Sequence, residues 1–159
     1  MLILTGEYEH TIDEKNRLFI SNRLRSQIDV KEYGSDFYLA MGANGVLCLY
    51  PRKYFQQIAL AGAPGRGAPD EAVAFERMTF ALASRVELDR QGRLLISEKL
   101  RKRANLGTEL TLVGVRDHIE LWNRADWEQY LSDNMGQYQQ QTAQARQTIL
   151  QKQSKEIEM

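Results

Sequence analysis

Cysteine, histidine and proline are scarce in this chain, which has one, two and three of them among 159 residues. The single cysteine, Cys48, cannot form an internal disulfide, so nothing in the sequence indicates secretion. A metal site needs several thiol or imidazole ligands at close spacing, and the chain contains no CxxC or HxxxH pattern. We therefore expect neither a bound metal nor a cofactor.

Long apolar runs and an excess of one charge are also missing. No segment approaches the roughly 20 apolar residues of a membrane span, and the first ten residues lack the basic and apolar regions of a signal peptide. Lys and Arg number 21, as do Asp and Glu, which argues against a non-specific nucleic-acid coat. These absences predict a cytoplasmic protein that contacts no membrane and uses no small-molecule substrate.

Catalytic patterns are equally sparse. Cys48 lies inside an apolar run, which favours a core or interface cysteine. The alternative is a catalytic thiol that a neighbouring histidine activates. His10 and His118 are expected on strand surfaces. The glycines of 62–67 are too loosely spaced to cradle a phosphate. We expect that the protein is not an enzyme.

The chain contains an internal repeat. Residues 7–27 align with 83–103, and after a slip of four residues 41–55 align with 113–127. The aligned pairs include Asp13 with Asp89, Arg17 with Arg93, Leu18 with Leu94, Ile20 with Ile96, Ser21 with Ser97, Leu24 with Leu100, and Arg25 with Arg101. A repeat of this kind predicts pseudo-twofold architecture and a surface that is used twice.

The alignment and the composition divide the chain into four segments. We expect one repeat over 7–55 and a second over 84–127. Residues 61–83 form a linker and a helix, because 61–70 hold two of the three prolines. The tail, 132–159, is rich in glutamine and is compatible with a polar helix, but solvent exposure and fraying are favoured.

Each repeat reads as strand, turn, strand, short helix, two strands and a second short helix. Asn16 and Gly92 occupy the same turn position and predict a left-handed backbone there. Ser21 and Ser97 predict helix N-caps. The first of these helices is expected to end near 30–34 and the second near 105–107. The later turns are expected at Gly45 and 116–117, and the last helix of each repeat is expected to start at Pro51 or Asn123.

Between the repeats, a helix is expected over 71–83. Its apolar face, formed by Phe75, Met78 and Leu82, is expected in the core or in a subunit contact.

The repeated pattern D-x-x-[GN]-R carries the functional prediction. Aspartate can fix a turn by accepting its downstream N–H groups, and the following arginine presents a planar fork suited to phosphates and to guanine. Two such forks would meet adjacent portions of a duplex. The alternative is that Arg17 and Arg93 only close local salt bridges with Asp13 and Asp89.

With Asp13–Arg17 and Asp89–Arg93, the chain resembles the MraZ family of the AbrB/SpoVT swapped-hairpin superfamily, whose hallmark is D-x-x-G-R in each of two repeats. Residues 75–107 and 120–122 support the resemblance, which covers about 1–131. Two features depart from the family pattern: Asn16 stands where glycine is usual, and serine replaces proline at both 21 and 97.

The resemblance implies a mainly β fold with short helices (α+β). It would be a pseudo-twofold β-barrel of two βαβ-like repeats with interlocked hairpins, followed by a C-terminal helical tail. It also implies a ring-like homo-oligomer, associated with the nucleoid, that binds promoter direct repeats upstream of the division and cell-wall operon, including its own promoter.

The resemblance also suggests roles for individual residues. The residues expected to contact DNA are Lys15, Arg17, Arg90 and Arg93, and those expected to orient the loops are Asp13, Asn16, Asp89 and Gly92. Arg23, Arg25, Arg101 and Lys102 would contact phosphates or would only be helix-surface charges. The alternative function is an AbrB-like antitoxin or protein-interaction module that uses the glutamine-rich 137–159.

Overall fold

The computed structural model describes residues 1–62 and 70–159, which form two compact units, Met1–Arg124 and Ala125–Met159. The expected mixture of strands and helices is confirmed. The strands are β1 (Glu7–Thr11), β2 (Arg17–Phe19), β3 (Phe37–Met41), β4 (Leu47–Pro51), β5 (Ser84–Val86), β6 (Arg93–Leu95), β7 (Glu109–Val115) and β8 (His118–Asn123), and the helices are α1 (Asn22–Arg25), α2 (Val30–Tyr33), α3 (Arg52–Ala61), α4 (Asp70–Ala81), α5 (Glu98–Arg103) and α6 (Arg124–Glu158).

Six of the strands form one antiparallel sheet in the order β1-β7-β8-β4-β3-β5. Strands from the two halves of the chain are interleaved, with three pairings between the halves: β1 pairs with β7, β4 with β8 and β3 with β5. Because side chains alternate between the faces of a strand, one face of the four central strands, β7, β8, β4 and β3, is rich in leucine and isoleucine. Its fully buried members include Leu39, Leu47, Leu49, Leu110, Leu112 and Ile119. The closed barrel stays a prediction, because β1 and β5 lie at the two edges in this order.

The remaining strands, β2 and β6, form a two-stranded antiparallel ribbon. The register pairs Arg17 with Leu95, Leu18 with Leu94, and Phe19 with Arg93. Leu18 and Leu94 face the core and are 0% and 1% exposed. Leu18 and Leu94, which the repeat alignment also pairs, are therefore direct partners in the ribbon and are buried together.

The predicted caps and turns are confirmed. The Ser21 and Ser97 hydroxyls accept backbone N–H groups at the starts of α1 and α5, and Gly45 and Arg116 adopt positive φ at the later turns. The first helix is shorter than expected. It ends at Arg25, and Asp29 caps a separate helix, α2, because its carboxylate accepts two backbone N–H groups of that helix.

The last helix is longer than expected. A short helix was predicted to begin at Asn123, but α6 runs from Arg124 for 35 residues. Residues 137–159 are exposed, as expected, but they are helical to Glu158 and do not fray. α6 contains no proline, and its one glycine, Gly136, costs a helix only about 1 kcal/mol.

Part of the predicted linker, 63–69, lies outside the described residues, and α4 confirms the helix expected over 71–83. Its apolar face is not in the core of this chain. Phe75 and Met78 are 72% and 60% exposed, so their burial in a subunit contact stays a prediction. Within the described residues, no helix is long and apolar enough to cross a membrane.

Candidate nucleic-acid interface

The two D-x-x-[GN]-R turns have the same internal bonding. The Asp13 carboxylate accepts the N–H groups of Lys15 and Arg17, both at 2.9 Å, and its second oxygen accepts from Arg17 Nε at 2.7 Å. Asp89 accepts the N–H groups of residues 91 and 93 at 2.9 and 3.0 Å and Arg93 Nε at 2.9 Å. The predicted local Asp–Arg pair is therefore present in both copies.

Both aspartates are held in their charged form. Hydrogen bonds from the Arg17 backbone and side chain hold the pKa of Asp13 below its ordinary value of 3.8. Hydrogen bonds from the backbone N–H groups of Arg93 and Gln91 likewise lower the pKa of Asp89. Each turn therefore keeps an Asp–Arg ion pair at neutral pH.

Asn16 and Gly92 close these turns with φ values of 60° and 78°, so the predicted left-handed conformation is confirmed in both. Asparagine and glycine are the residue types that adopt this conformation most readily. The Asn16 substitution therefore preserves the turn that glycine usually makes.

Arg17 and Arg93 lie on the outward face of the ribbon. Their neighbours Leu18 and Leu94 point into the core, so the alternation of a strand turns both arginines outward. They are diagonal neighbours in the antiparallel register, a relation that separates residues by about 7–8 Å. The structure thus brings the two predicted arginines together on one surface.

Each arginine keeps donors for a further partner. Their side chains are 33% and 27% exposed, and the ion pairs with Asp13 and Asp89 use Nε. Among described residues, no hydrogen bond is seen from the Nη groups of either arginine. The aspartates therefore fix the direction of two guanidinium groups whose outer edges stay available.

The turns themselves lie at opposite ends of the ribbon, because β2 and β6 are antiparallel and each turn precedes its strand. The two turns are therefore not neighbours, although the two arginines are. The arginines at the strand starts share one face, and the exposed apolar side chains of Phe19 and Leu95 lie on that face with them.

Arg25 and Arg101, which were expected to contact phosphates or to be surface charges, instead bind the turn of the opposite repeat. Arg101 Nη1 donates to Asn16 Oδ1 at 2.7 Å, and the Arg25 guanidinium packs against Gly92. This positioning role is not visible in the sequence, because a helix-surface arginine gives no sign of a partner as far away as Asn16 is from Arg101, 85 residues along the chain.

Backbone hydrogen bonds follow the same reciprocal pattern. Ile20 N donates to Gly92 O and Ile96 N donates to Asn16 O, both at 2.9 Å. Each strand of the ribbon therefore begins beside its own turn and ends beside the turn of the other repeat. Two matched interactions per turn hold the arginine-bearing face in place.

The other predicted contact residues surround this face less tightly. Lys15 and Arg90 are exposed turn residues, and Arg23 and Lys102 are exposed on α1 and α5. Among the described residues, their side chains form no ion pair comparable to those of Arg17 and Arg93. They contribute positive charge without the fixed direction of the two motif arginines.

Both histidines lie on strands, as expected, but both are partly buried, and His118 is enclosed by carboxylates. His10 packs edge-on against Phe19 at 5.5 Å. The His118 side chain is 15% exposed and lies between the carboxylates of Asp117 and Glu120, at 2.7 and 3.2 Å. Burial alone lowers the pKa of His118, but hydrogen bonds with Cys48 and those two carboxylates raise it to about 10. Cys48 is buried, as predicted, and it lies beside this histidine.

The chain is similar to known proteins over most of its length. The family model "MraZ protein, putative antitoxin-like" matches residues 3–65 and 79–152. The transcriptional regulator MraZ of Moorella thermoacetica is 39% identical over 136 residues, which cover 84% of this chain and 90% of the relative.

Two further relatives carry the same name, transcriptional regulator MraZ. The protein of Pediococcus pentosaceus is 37% identical over 130 residues, 80% of this chain and 86% of the relative. The protein of Finegoldia magna is 36% identical over 133 residues, which cover 84% of this chain and 90% of the relative. With the family model and these relatives in agreement over both repeats, the chain belongs to the MraZ family.

Proposed function

We propose that this protein is a transcriptional regulator that binds double-stranded DNA through the outward face of the β2/β6 ribbon. One observation carries the proposal: Arg17 and Arg93 lie on that one face, each aimed by an aspartate of its own turn. The relatives that bear the name of a transcriptional regulator support it.

A two-stranded antiparallel ribbon is an element that can enter a DNA groove. The major groove of B-DNA admits a two-stranded β-ribbon, and arginine can bond to guanine O6 and N7 or to phosphate. Phe19 and Leu95, exposed by 37% and 61% on the same face, can contact the methyl group of thymine. Lys15 and Arg90, exposed on the two turns, would contact the flanking backbone.

We further propose that several copies bind promoter direct repeats together, as a ring-like homo-oligomer built from the closed two-repeat barrel with its interlocked hairpins. A chain with no net charge gains affinity when several copies of one basic face bind at once. The exposed Phe75 and Met78 of α4 would supply an interface between copies. The proposed promoter is that of the division and cell-wall operon, and the proposed location is the cytoplasm, at the nucleoid.

A salt series tests the assignment of the site. Binding to the DNA upstream of the protein's own gene is measured for wild type, Arg17→Ala and Arg93→Ala. Loss of a phosphate contact reduces the slope of log K against log salt by about one unit, and loss of a base-reading arginine costs about 1–3 kcal/mol and weakens sequence preference.

Lys31→Ala is the matched control, because it removes one exposed positive charge from α2, outside the ribbon and its turns. We expect it to bind like wild type. If both arginine variants also bind like wild type, the ribbon is not the site. Light scattering that finds only monomer would contradict the oligomer.

The role of an antitoxin or protein-interaction module remains the alternative. It is favoured by the exposed apolar side chains along α6, which include Met135, Tyr138, Ile149 and Leu150. If the double variant Tyr138→Lys and Ile149→Lys binds DNA and self-assembles like wild type, α6 is available for a different protein partner.

A further inference from the structure

We propose that Cys48, His118 and Glu120 form a binding site for a divalent transition-metal ion, with zinc as the best match. Cys48 Sγ, a ring nitrogen of His118 and a carboxylate oxygen of Glu120 lie within 4.8 Å of one another. The site lies on the face of the sheet opposite the leucine core and is separate from the proposed DNA-binding ribbon.

The register of the sheet places these three side chains together. Cys48 of β4 is the direct partner of Glu120 in β8. His118 precedes Glu120 by two residues and therefore lies on the same face of the strand. Only the pairing of β4 with β8 creates the cluster, and for this reason no short-range ligand spacing appears in the sequence.

The histidine is oriented as a metal ligand is. Metal-binding histidines usually donate their second ring nitrogen to a carboxylate, which fixes the ring and its tautomer. Here His118 Nδ1 lies 2.7 Å from Asp117 Oδ1, and Asp117 Oδ2 in turn accepts from the Tyr54 hydroxyl at 2.8 Å. This leaves Nε2 facing Glu120.

The carboxylate and the thiol are positioned as well. Trp122 Nε1 donates to Glu120 Oε1 at 3.0 Å, which leaves Oε2 directed at His118 Nε2 at 3.2 Å. Gly42 leaves room for the thiol, since a Cβ at that residue would lie 2.5 Å from Cys48 Sγ. Each of the three candidate ligands therefore has a defined orientation.

The donor set selects the type of ion. Thiolate, imidazole and carboxylate together are ligands of zinc, whereas calcium and magnesium prefer oxygen alone. Zinc bonds of about 2.0–2.3 Å place ligand atoms about 3.5 Å apart, so the cluster would contract by about 1 Å. The ion would replace the proton shared by His118 and Glu120 and the proton of the thiol. The partly exposed edge, where Glu120 is 24% exposed, would admit a water as fourth ligand.

An ion at this site would connect the two halves of the chain, because Cys48 belongs to the first repeat and the other two ligands to the second. The proposal does not depend on DNA binding. Its test uses the full chain, first treated with a chelator and then titrated with Co²⁺, whose thiolate charge-transfer band in the near ultraviolet reports a bond to sulfur.

We expect one Co²⁺ per chain, a thiolate band that Zn²⁺ abolishes by displacement, and slower reaction of Cys48 with a thiol reagent when Zn²⁺ is present. Cys48→Ser should remove the band, and His118→Gln or Glu120→Gln should weaken binding at least tenfold. Asp117→Asn should weaken it about 10–100-fold through loss of the ring's orientation. His10→Gln is the matched control and should bind like wild type.

The wild-type protein alone can overturn the proposal, so the result does not depend on whether each variant folds. If folded wild type gives no thiolate band and Zn²⁺ leaves the reactivity of Cys48 unchanged, the three residues form only a hydrogen-bonded network. If binding is equally tight in folded Cys48→Ser and His118→Gln, the ion is bound elsewhere.

Discussion

Gly92→Ala is the substitution that best tests the contact between the two repeats. Gly92 has φ 78°, and a Cβ there would lie 2.9 Å from Cζ and Nη2 of Arg25. A left-handed conformation costs alanine about 1–2 kcal/mol. Displacing Arg25 also breaks the bond from its Nε to Ile20 O, which contributes about 0.5–1.5 kcal/mol. We expect the free energy of unfolding to fall by about 1.5–3.5 kcal/mol.

A double-mutant cycle separates the two causes. In the Arg25→Ala background the new methyl group has no guanidinium to displace, so Gly92→Ala should cost only the backbone strain of about 1–2 kcal/mol. The expected coupling between the two substitutions is about 0.5–1.5 kcal/mol. The assay is urea unfolding with every variant at the same protein concentration, because self-association makes the apparent stability depend on concentration.

Gly92→Asn is the control, since asparagine occupies the equivalent position 16 at φ 60°. Asparagine also places a Cβ against Arg25, so Gly92→Asn should still displace that side chain. It should avoid most of the backbone strain that alanine suffers at positive φ. Costs of Gly92→Ala and Arg25→Ala that add to within about 0.3–0.5 kcal/mol would refute the contact as the cause.

Three further outcomes are expected from urea unfolding. Asp36→Asn removes ion pairs with Arg52 and Arg85 at 2.7 and 2.6 Å and should cost about 2–3 kcal/mol at neutral pH. Burial raises the pKa of Asp36, but hydrogen bonds from both arginines hold it below 3.8. The difference from wild type should therefore persist above pH 3.8 and disappear as the pH falls through the lowered pKa; a difference that is constant with pH would contradict this. Ser97→Ala should cost about 1 kcal/mol through loss of the α5 cap, and an unchanged midpoint would exclude that role. Leu39→Ala, at a position that is 0% exposed, should cost about 2–5 kcal/mol, and a cost below 1 kcal/mol would contradict its place in the core.

Local chemistry explains why the turns and caps could be predicted from the sequence. The bonds of Asp13 reach only two and four residues along the chain, and those of Ser21 and Ser97 reach two or three. Interactions of such short range leave a residue pattern that can be read directly. The break between α1 and α2 follows the same logic, because Asp29 is itself a good N-cap.

The remaining parts depend on pairing between distant segments. The β2/β6 ribbon joins three-residue strands that lie in different repeats, and the pattern of each strand is equally compatible with several partners. The hydrogen bond from Arg101 to Asn16 joins residues 85 positions apart, and in the sequence Arg101 resembles an ordinary surface charge. The Cys48–His118–Glu120 cluster exists only because β4 pairs with β8.

The β2/β6 ribbon also sets an order of events during translation. β2 is complete when Phe19 has been made, but Leu94, which covers Leu18, emerges from the ribosome much later. Until then the nascent first half exposes apolar surface and an unpaired strand, the features that make folding intermediates prone to aggregate. Either half produced as a separate fragment would keep that exposed edge, because each ribbon strand has its partner strand in the other half.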